Sequence, residues 1–138
     1  EEARELTSAL NHRQIDSIFL LAPTSTEARI AEVAKLARGY VYYVSLKGVT
    51  GAAHLDLVEV KEKLPHIRAR VNLPVGVGFG IRDEQSARAI AEIADAVVIG
   101  SRIVEEIEVS PREKVLENVR AFVSRIRAAI DETSGIRI

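Results

Sequence analysis

Apolar residues along this chain fall into two alternating rhythms. Four short runs, residues 17–22, 40–45, 73–78 and 96–100, are apolar almost throughout and rich in β-branched side chains. Runs of that length without strict in–out alternation are the pattern of parallel strands covered on both faces. Elsewhere apolar positions recur every three or four residues, the period of a helix that buries one stripe. Leu6, Ala9 and Leu10 form the first stripe, over residues 4–12. Ile30, Val33 and Ala37 form the second, and Leu57, Val60, Leu64 and Ile67 the third. Ala87, Ile90, Ala91 and Ala94 make the fourth, and Val115, Val119, Phe122 and Ile126 the last.

Boundary residues support this division. Thr24 with Glu27 offers a capping box for the second helix, and Gly39 is placed to end it. Pro65 lies inside the third stripe, which predicts a kink or a break there. Asp83 is a candidate cap for the fourth helix. Ser110, Pro111 and Glu113 together predict the start of the last. The order is one helix followed by four βα units, which implies a parallel sheet with right-handed crossovers. No linker, low-complexity segment or internal repeat interrupts residues 1–138, so a single domain is expected. Four parallel strands cannot close a barrel of eight, which leaves a small open α/β sheet or half of a (β/α)8 barrel.

The loops favour the half-barrel. The third run ends in Gly76-Val77-Gly78-Phe79-Gly80-Ile81, and the fourth in Gly100-Ser101, followed by a short predicted helix over residues 102–107. A phosphate group needs several backbone N–H donors at close range, and glycine has no Cβ to obstruct them. A helix N-terminus adds unpaired N–H groups and a favourable dipole. Two successive strand-end glycine sites with a short extra helix match the recurrent phosphate site of (β/α)8 barrels. The alternative is that these glycines only shape tight turns. The third-run glycines do not form a dinucleotide fingerprint, because Ile81 stands where the last glycine would fall. The glycine-flanked loop after the second run carries Lys47 and Thr50, and either closes over a substrate or is an ordinary connection.

Other polar residues carry less. Alternation places Tyr40 and Tyr42 on one face of their strand and Tyr43 on the other. His12, His54 and His66 are scattered and lack metal-ligand spacing, so surface positions are expected. Glu105, Glu106 and Glu108 are expected to form a solvated acidic face. Asp95 precedes the fourth strand, the wrong end for barrel chemistry.

Composition narrows the classes further. A formal net charge of −1 gives no electrostatic case for nucleic acid. The chain has no cysteine, which excludes disulfides, thiolate metal sites and a cysteine nucleophile, and fits a reducing, cytoplasmic setting. No apolar run approaches the ~20 residues that span a bilayer, and no signal peptide is read at the start. The first residue is Glu and the chain contains no Met, so we expect these 138 residues to be part of a longer product.

Several stretches, taken together, resemble the tryptophan synthase α subunit. They are residues 16–24, Gly39-Tyr40-Val41-Tyr42, residues 45–51 with Gly48-Val49-Thr50-Gly51, Gly78-Phe79-Gly80-Ile81, and residues 96–103. The resemblance runs along the whole chain and covers about the second half of the family's barrel. It implies a TIM (β/α)8-barrel type fold, here the C-terminal (βα)4 portion. It also implies a lyase that cleaves indole-3-glycerol phosphate to indole and glyceraldehyde 3-phosphate in tryptophan biosynthesis. By the same resemblance, Gly51, Gly80, Gly100 and Ser101 would hold the substrate phosphate. Phe79 would lie beside the substrate, Tyr42 would line the site near the glycerol portion, and Thr50 would belong to the loop that folds over it. No metal and no cofactor are implied, because pyridoxal phosphate would belong to a β subunit partner. The family's catalytic Glu and Asp lie in the other half, so no catalytic residue is expected here and the chain alone is expected to be inactive. The rival reading is a non-catalytic half-barrel that binds a phosphate ester or self-associates through its open sheet edges.

Overall fold

The structure, a computed structural model, describes residues 2–45, 57–78 and 80–134. In chain order the elements are α1 (Glu2–His12), β1 (Phe19–Leu21), α2 (Glu27–Leu36), β2 (Val41–Val44), α3 (Leu57–Arg68) and β3 (Val75–Gly78). They continue with α4 (Glu84–Ala91), β4 (Ala96–Val98), α5 (Ser101–Val109) and α6 (Val115–Ser134). The four strands form one sheet in the order β1-β2-β3-β4. Every neighbouring pair is parallel, with Leu20 opposite Tyr42, Tyr42 opposite Gly76, and Gly78 opposite Val98. This is the predicted sequential order, and it brings all strand C-termini to one edge.

Helices cover one face of the sheet. Leu21, Val41, Tyr43, Val75 and Val77 point into that layer and are buried. They meet Ile30 and Val33 of α2, Val60, Leu64 and Ile67 of α3, Ala87 and Ile90 of α4, and Phe122 and Ile126 of α6. Each fully buried aliphatic side chain contributes about 1.5–3 kcal/mol, so this layer is the main source of stability. The opposite face carries no helix among the described residues: Leu20 is 58% exposed, Tyr42 and Val44 are half-buried, and Ala96 is exposed. The expectation of strands covered on both faces therefore holds for β3 alone, which is buried throughout. The reason is architectural, since the inner face of a barrel wall is covered by opposing strands and not by helices.

Several element boundaries differ from the sequence expectation. Thr26, not Thr24, caps α2, its side chain accepting from the Arg29 N–H at 3.2 Å. Residues 22–25 are committed to a turn closed by Ser25 N to Ala22 O, so Thr24 cannot also cap. The same helix stops with its C-cap at Ala37, and Gly39 takes φ +74° in the link to β2. Helix α3 runs through Pro65 without a break. Pro65 and Lys61, whose carbonyl loses its donor, are both exposed, so water can take the missing bond. Ser110 does not open the last helix. It ends α5, donating to the Glu106 carbonyl and accepting from Asn118 Nδ2 at 2.8 Å, while residues 111–114 form a turn before α6. At the opposite edge from the strand C-termini, Asp95 accepts from the Val75 N–H at 2.9 Å and from Arg68 at 3.0 Å, a structural role in joining β3 to β4.

Asp83 caps α4 as expected, in a reciprocal box with Ser86. Hydrogen bonds from the Ser86 hydroxyl and backbone N–H hold its carboxyl below the usual carboxylate range. A depressed folded-state pKa means stability that is present above the ordinary aspartate value and lost as pH falls through the depressed one. Thermal melts between neutral and strongly acidic pH should therefore show Asp83→Asn losing less stability on acidification than the parent, and equal slopes would show that the cap carries no linked charge.

Candidate functional site at the ends of strands three and four

The strand C-termini converge where β3 and β4 give way to their loops. Gly78 and Val98 are the last paired residues, so Gly80 and Gly100 each stand two residues beyond the sheet, on neighbouring strands. Three glycines in this region are glycine for three different reasons. A Cβ on Gly78 would lie 2.2 Å from the Tyr42 hydroxyl and 2.8 Å from its ring, so the missing side chain lets the phenol cross β3. Gly80 has φ +74°, a backbone state that other residues adopt only under strain. Gly100 has φ −117°, which any residue tolerates, and a Cβ there would meet nothing within 4 Å.

Gly100 is the N-cap of α5 and provides no side-chain cap. Its carbonyl accepts from the N–H groups of Ile103 at 2.9 Å and Val104 at 3.2 Å. Among the described residues nothing accepts from the N–H groups of Ser101 or Arg102. The first turn of α5 therefore presents open donors and the positive end of its dipole beside an exposed glycine. Ser101 is the first helical residue and not the cap, so its hydroxyl does not cap this helix end. The helix itself extends over Ser101–Val109, beyond the predicted 102–107.

Among the described residues, the cations around this edge are engaged in pairs. Arg82, two residues past Gly80, contacts the Glu105 carboxylate of α5. Arg102 lies 2.8 Å from Glu106 and stacks over the Phe122 ring at 5.2 Å. Two of the three acidic residues expected on a solvated face are thus ion-paired. An anion here would be held chiefly by backbone donors, with little free side-chain charge. Burial, then the neighbouring Tyr40 phenol, raises the Tyr42 pKa, so its hydroxyl is neutral at physiological pH and can both donate and accept.

Of the predicted site residues, the structure brings Tyr42, Gly80, Gly100 and Ser101 to this one sheet edge. Thr50, Gly51 and Phe79 lie outside the described residues, as does His54. His12 and His66 are exposed, and no group of His, Asp and Glu with metal-binding geometry occurs among the described residues. Of the carboxylates that follow strands, Glu27 lies 3.3 Å from Arg70 and Asp83 serves its capping box. The Gly78–Tyr42 crossing and the Arg82–Glu105 pair were not foreseen. Both depend on the register between strands, which alternation within one strand does not supply.

Parallel βα units in sequential strand order, with glycines just past successive strand ends, place the chain in the (β/α)8-barrel class. A family model described as "Tryptophan synthase alpha chain" matches residues 1–131, and the chain belongs to that family. It is 65% identical over 134 residues to the tryptophan synthase alpha chain of Nitrosomonas europaea, covering 97% of this chain and 49% of that relative. To the alpha chain of Azoarcus sp. (strain BH72) it is 60% identical over 137 residues, covering 99% and 51%. The crystal structure of tryptophan synthase subunit alpha from Legionella pneumophila str. Paris superposes with a TM-score of 0.81 at 33% identity, covering 95% of this chain and 48% of that one. The aminoacrylate-bound tryptophan synthase of M. tuberculosis gives 0.76 at 31% identity, over 94% and 46%. The chain spans about half the length of the relatives it matches. No described helix is long and apolar enough to cross a membrane.

The Tyr42–Gly78 contact is open to a double-mutant cycle. Gly78→Ala should push the phenol off β3 and destabilise by about 1–3 kcal/mol, the usual range for forced repacking. Tyr42→Ala should then cost less in the Gly78→Ala background than in the parent, measured by urea unfolding. Strict additivity would show that the two side-chain positions do not meet.

Proposed function

We propose that this chain is the phosphate-holding C-terminal (βα)4 portion, a single domain over residues 1–138, of a tryptophan synthase alpha chain. The complete protein's reaction would be cleavage of indole-3-glycerol phosphate to indole and glyceraldehyde 3-phosphate. In this reading Gly51, Gly80, Gly100 and Ser101 hold the phosphate, Phe79 and Tyr42 flank the substrate, and Thr50 belongs to the covering loop. The partner is a β subunit in the cytoplasm, and pyridoxal phosphate belongs to that subunit.

The observation that carries this reading is Gly100. Neither its φ of −117° nor its surroundings require a glycine, since a Cβ there meets nothing within 4 Å. What the missing side chain leaves is access to the open N–H groups of Ser101 and Arg102 at the start of α5. A side chain at position 100 would hold an anion away from several donors at once, whereas losing one hydroxyl removes a single bond, about 1.5–3 kcal/mol if the partner is charged. Gly100→Val is therefore expected to weaken glycerol 3-phosphate binding more than Ser101→Ala, by calorimetry, while Gly39→Ala changes stability without changing affinity. Equal affinity in the parent and a folded Gly100→Val would reduce these glycines to turn formers.

Carbon–carbon cleavage needs a proton donor and acceptor on the substrate. Glu27 and Asp83, the first described carboxylates after β1 and β3, are held by Arg70 and by Ser86. The purified 138-residue chain is therefore expected to release no indole from indole-3-glycerol phosphate. Turnover within about tenfold of a full-length alpha chain, a barrier difference of about 1.4 kcal/mol, would overturn this.

A further inference from the structure

Helix α5 is held differently from every other helix around the sheet. It has no buried residue, whereas α2, α3 and α4 each seat two or more in the core. Its hydrophobic anchoring is partial: Ile103 in the first turn packs half-buried against the core. A set of polar contacts adds to that packing. Arg102 pairs with Glu106 and lies over Phe122 of α6, and Ser110 joins the far end to Asn118. On the other side, Arg82 reaches from the β3–α4 loop to Glu105 in the second turn of α5. The backbone of Arg82 is itself fixed, its N–H donating to Ser86 Oγ at 3.2 Å inside the α4 capping box. Only Ile81 separates it from Gly80.

We propose that Arg82 and Glu105 are positioning residues for the phosphate site, a clasp that sets the Gly80 turn against the N-terminus of α5. The inference rests on the phosphate reading above and names what holds its two halves in register. Neither side chain needs to touch the ligand. The clasp joins the loop behind one glycine to the helix behind the other, so breaking it lets α5 shift relative to β3 while the core stays packed. An exposed pair of this kind adds little to global stability, which separates its effect on the site from its effect on folding.

The alternative is that Arg82 acts as a cation drawing in the anion. The two differ in sign at Glu105. Removing the carboxylate frees the Arg82 charge and tightens anion binding if Arg82 acts as an attractor, but loosens α5 and weakens binding if it acts as a clasp. The test is titration of the 138-residue chain with inorganic phosphate and with glycerol 3-phosphate at low ionic strength. The readouts are calorimetry and the NMR shifts of the Gly100, Ser101 and Arg102 amides. Glu105→Gln and Arg82→Gln should each weaken binding by about three- to tenfold, the scale expected when a site's support loosens by a fraction of an ångström. Thermal midpoints should match the parent. Arg82→Lys, which keeps the pair, and the Arg82→Glu/Glu105→Arg exchange should both restore affinity to within about twofold. Tighter or unchanged binding in Glu105→Gln, with Gly100→Val still impaired, overturns the clasp and leaves the phosphate site standing. Absence of phosphate binding in the parent chain overturns both.

Discussion

The architecture depends on one row of side chains under the helices. Leu21, Val41, Tyr43, Val75 and Val77 alternate with residues of the open face, and each strand is only three or four residues long. Backbone pairing over so few residues cannot hold a parallel sheet in register. A one-residue slip would turn this whole row away from α2, α3 and α4, and that penalty fixes the register. Once it is fixed, Gly78 lies beside Val44 and Val98, and the strand ends fall level. The placement of Gly80 and Gly100 side by side is thus a consequence of packing on the far side of the sheet.

That core stops short of the site. The first turn of α5 has no fully buried side chain; Ile103 packs half-buried against the core, and guanidinium–carboxylate contacts and one stacked ring steady the helix further. The division is physically reasonable. A rigid apolar layer gives the strand ends a fixed frame, and the peripheral helix, whose free N–H groups must stay accessible, adds groups that tolerate water to its single apolar contact.

The fold was largely legible in the sequence because strand and helix periods differ and both were clean. Tyr40-Val41-Tyr42-Tyr43-Val44 could hardly be helical between Gly39 and the loop, and Asp83 announced α4 through its cap. The errors came where two local solutions competed. Thr24 and Thr26 both could cap, and the turn at residues 22–25 decided between them. Ser110 precedes a proline, a common helix opening, yet its hydroxyl bonds back to Glu106 and closes the helix before it. Glycine positions could be marked from sequence, but their reasons could not. The crowding at Gly78, the left-handed backbone at Gly80 and the empty space at Gly100 are properties of neighbours and torsions. The pairing of Glu105 was hidden because Arg82 comes from another loop, whereas Arg102 and Glu106 stand four residues apart on one helix, a spacing the sequence displays.

The tyrosines of β2 have a spectroscopic consequence. The chain has three tyrosines and no tryptophan, and all three tyrosines stand in or directly beside this strand. Its near-ultraviolet absorbance and emission therefore arise almost wholly from one element at the centre of the sheet. The three chromophores divide between two environments, with Tyr43 sealed beneath the helices and Tyr40 and Tyr42 on the open face. Quenching by a dissolved small molecule would reach the latter pair and spare the former. One unlabelled sample thus distinguishes loosening of the helical layer from occupation of the inner face.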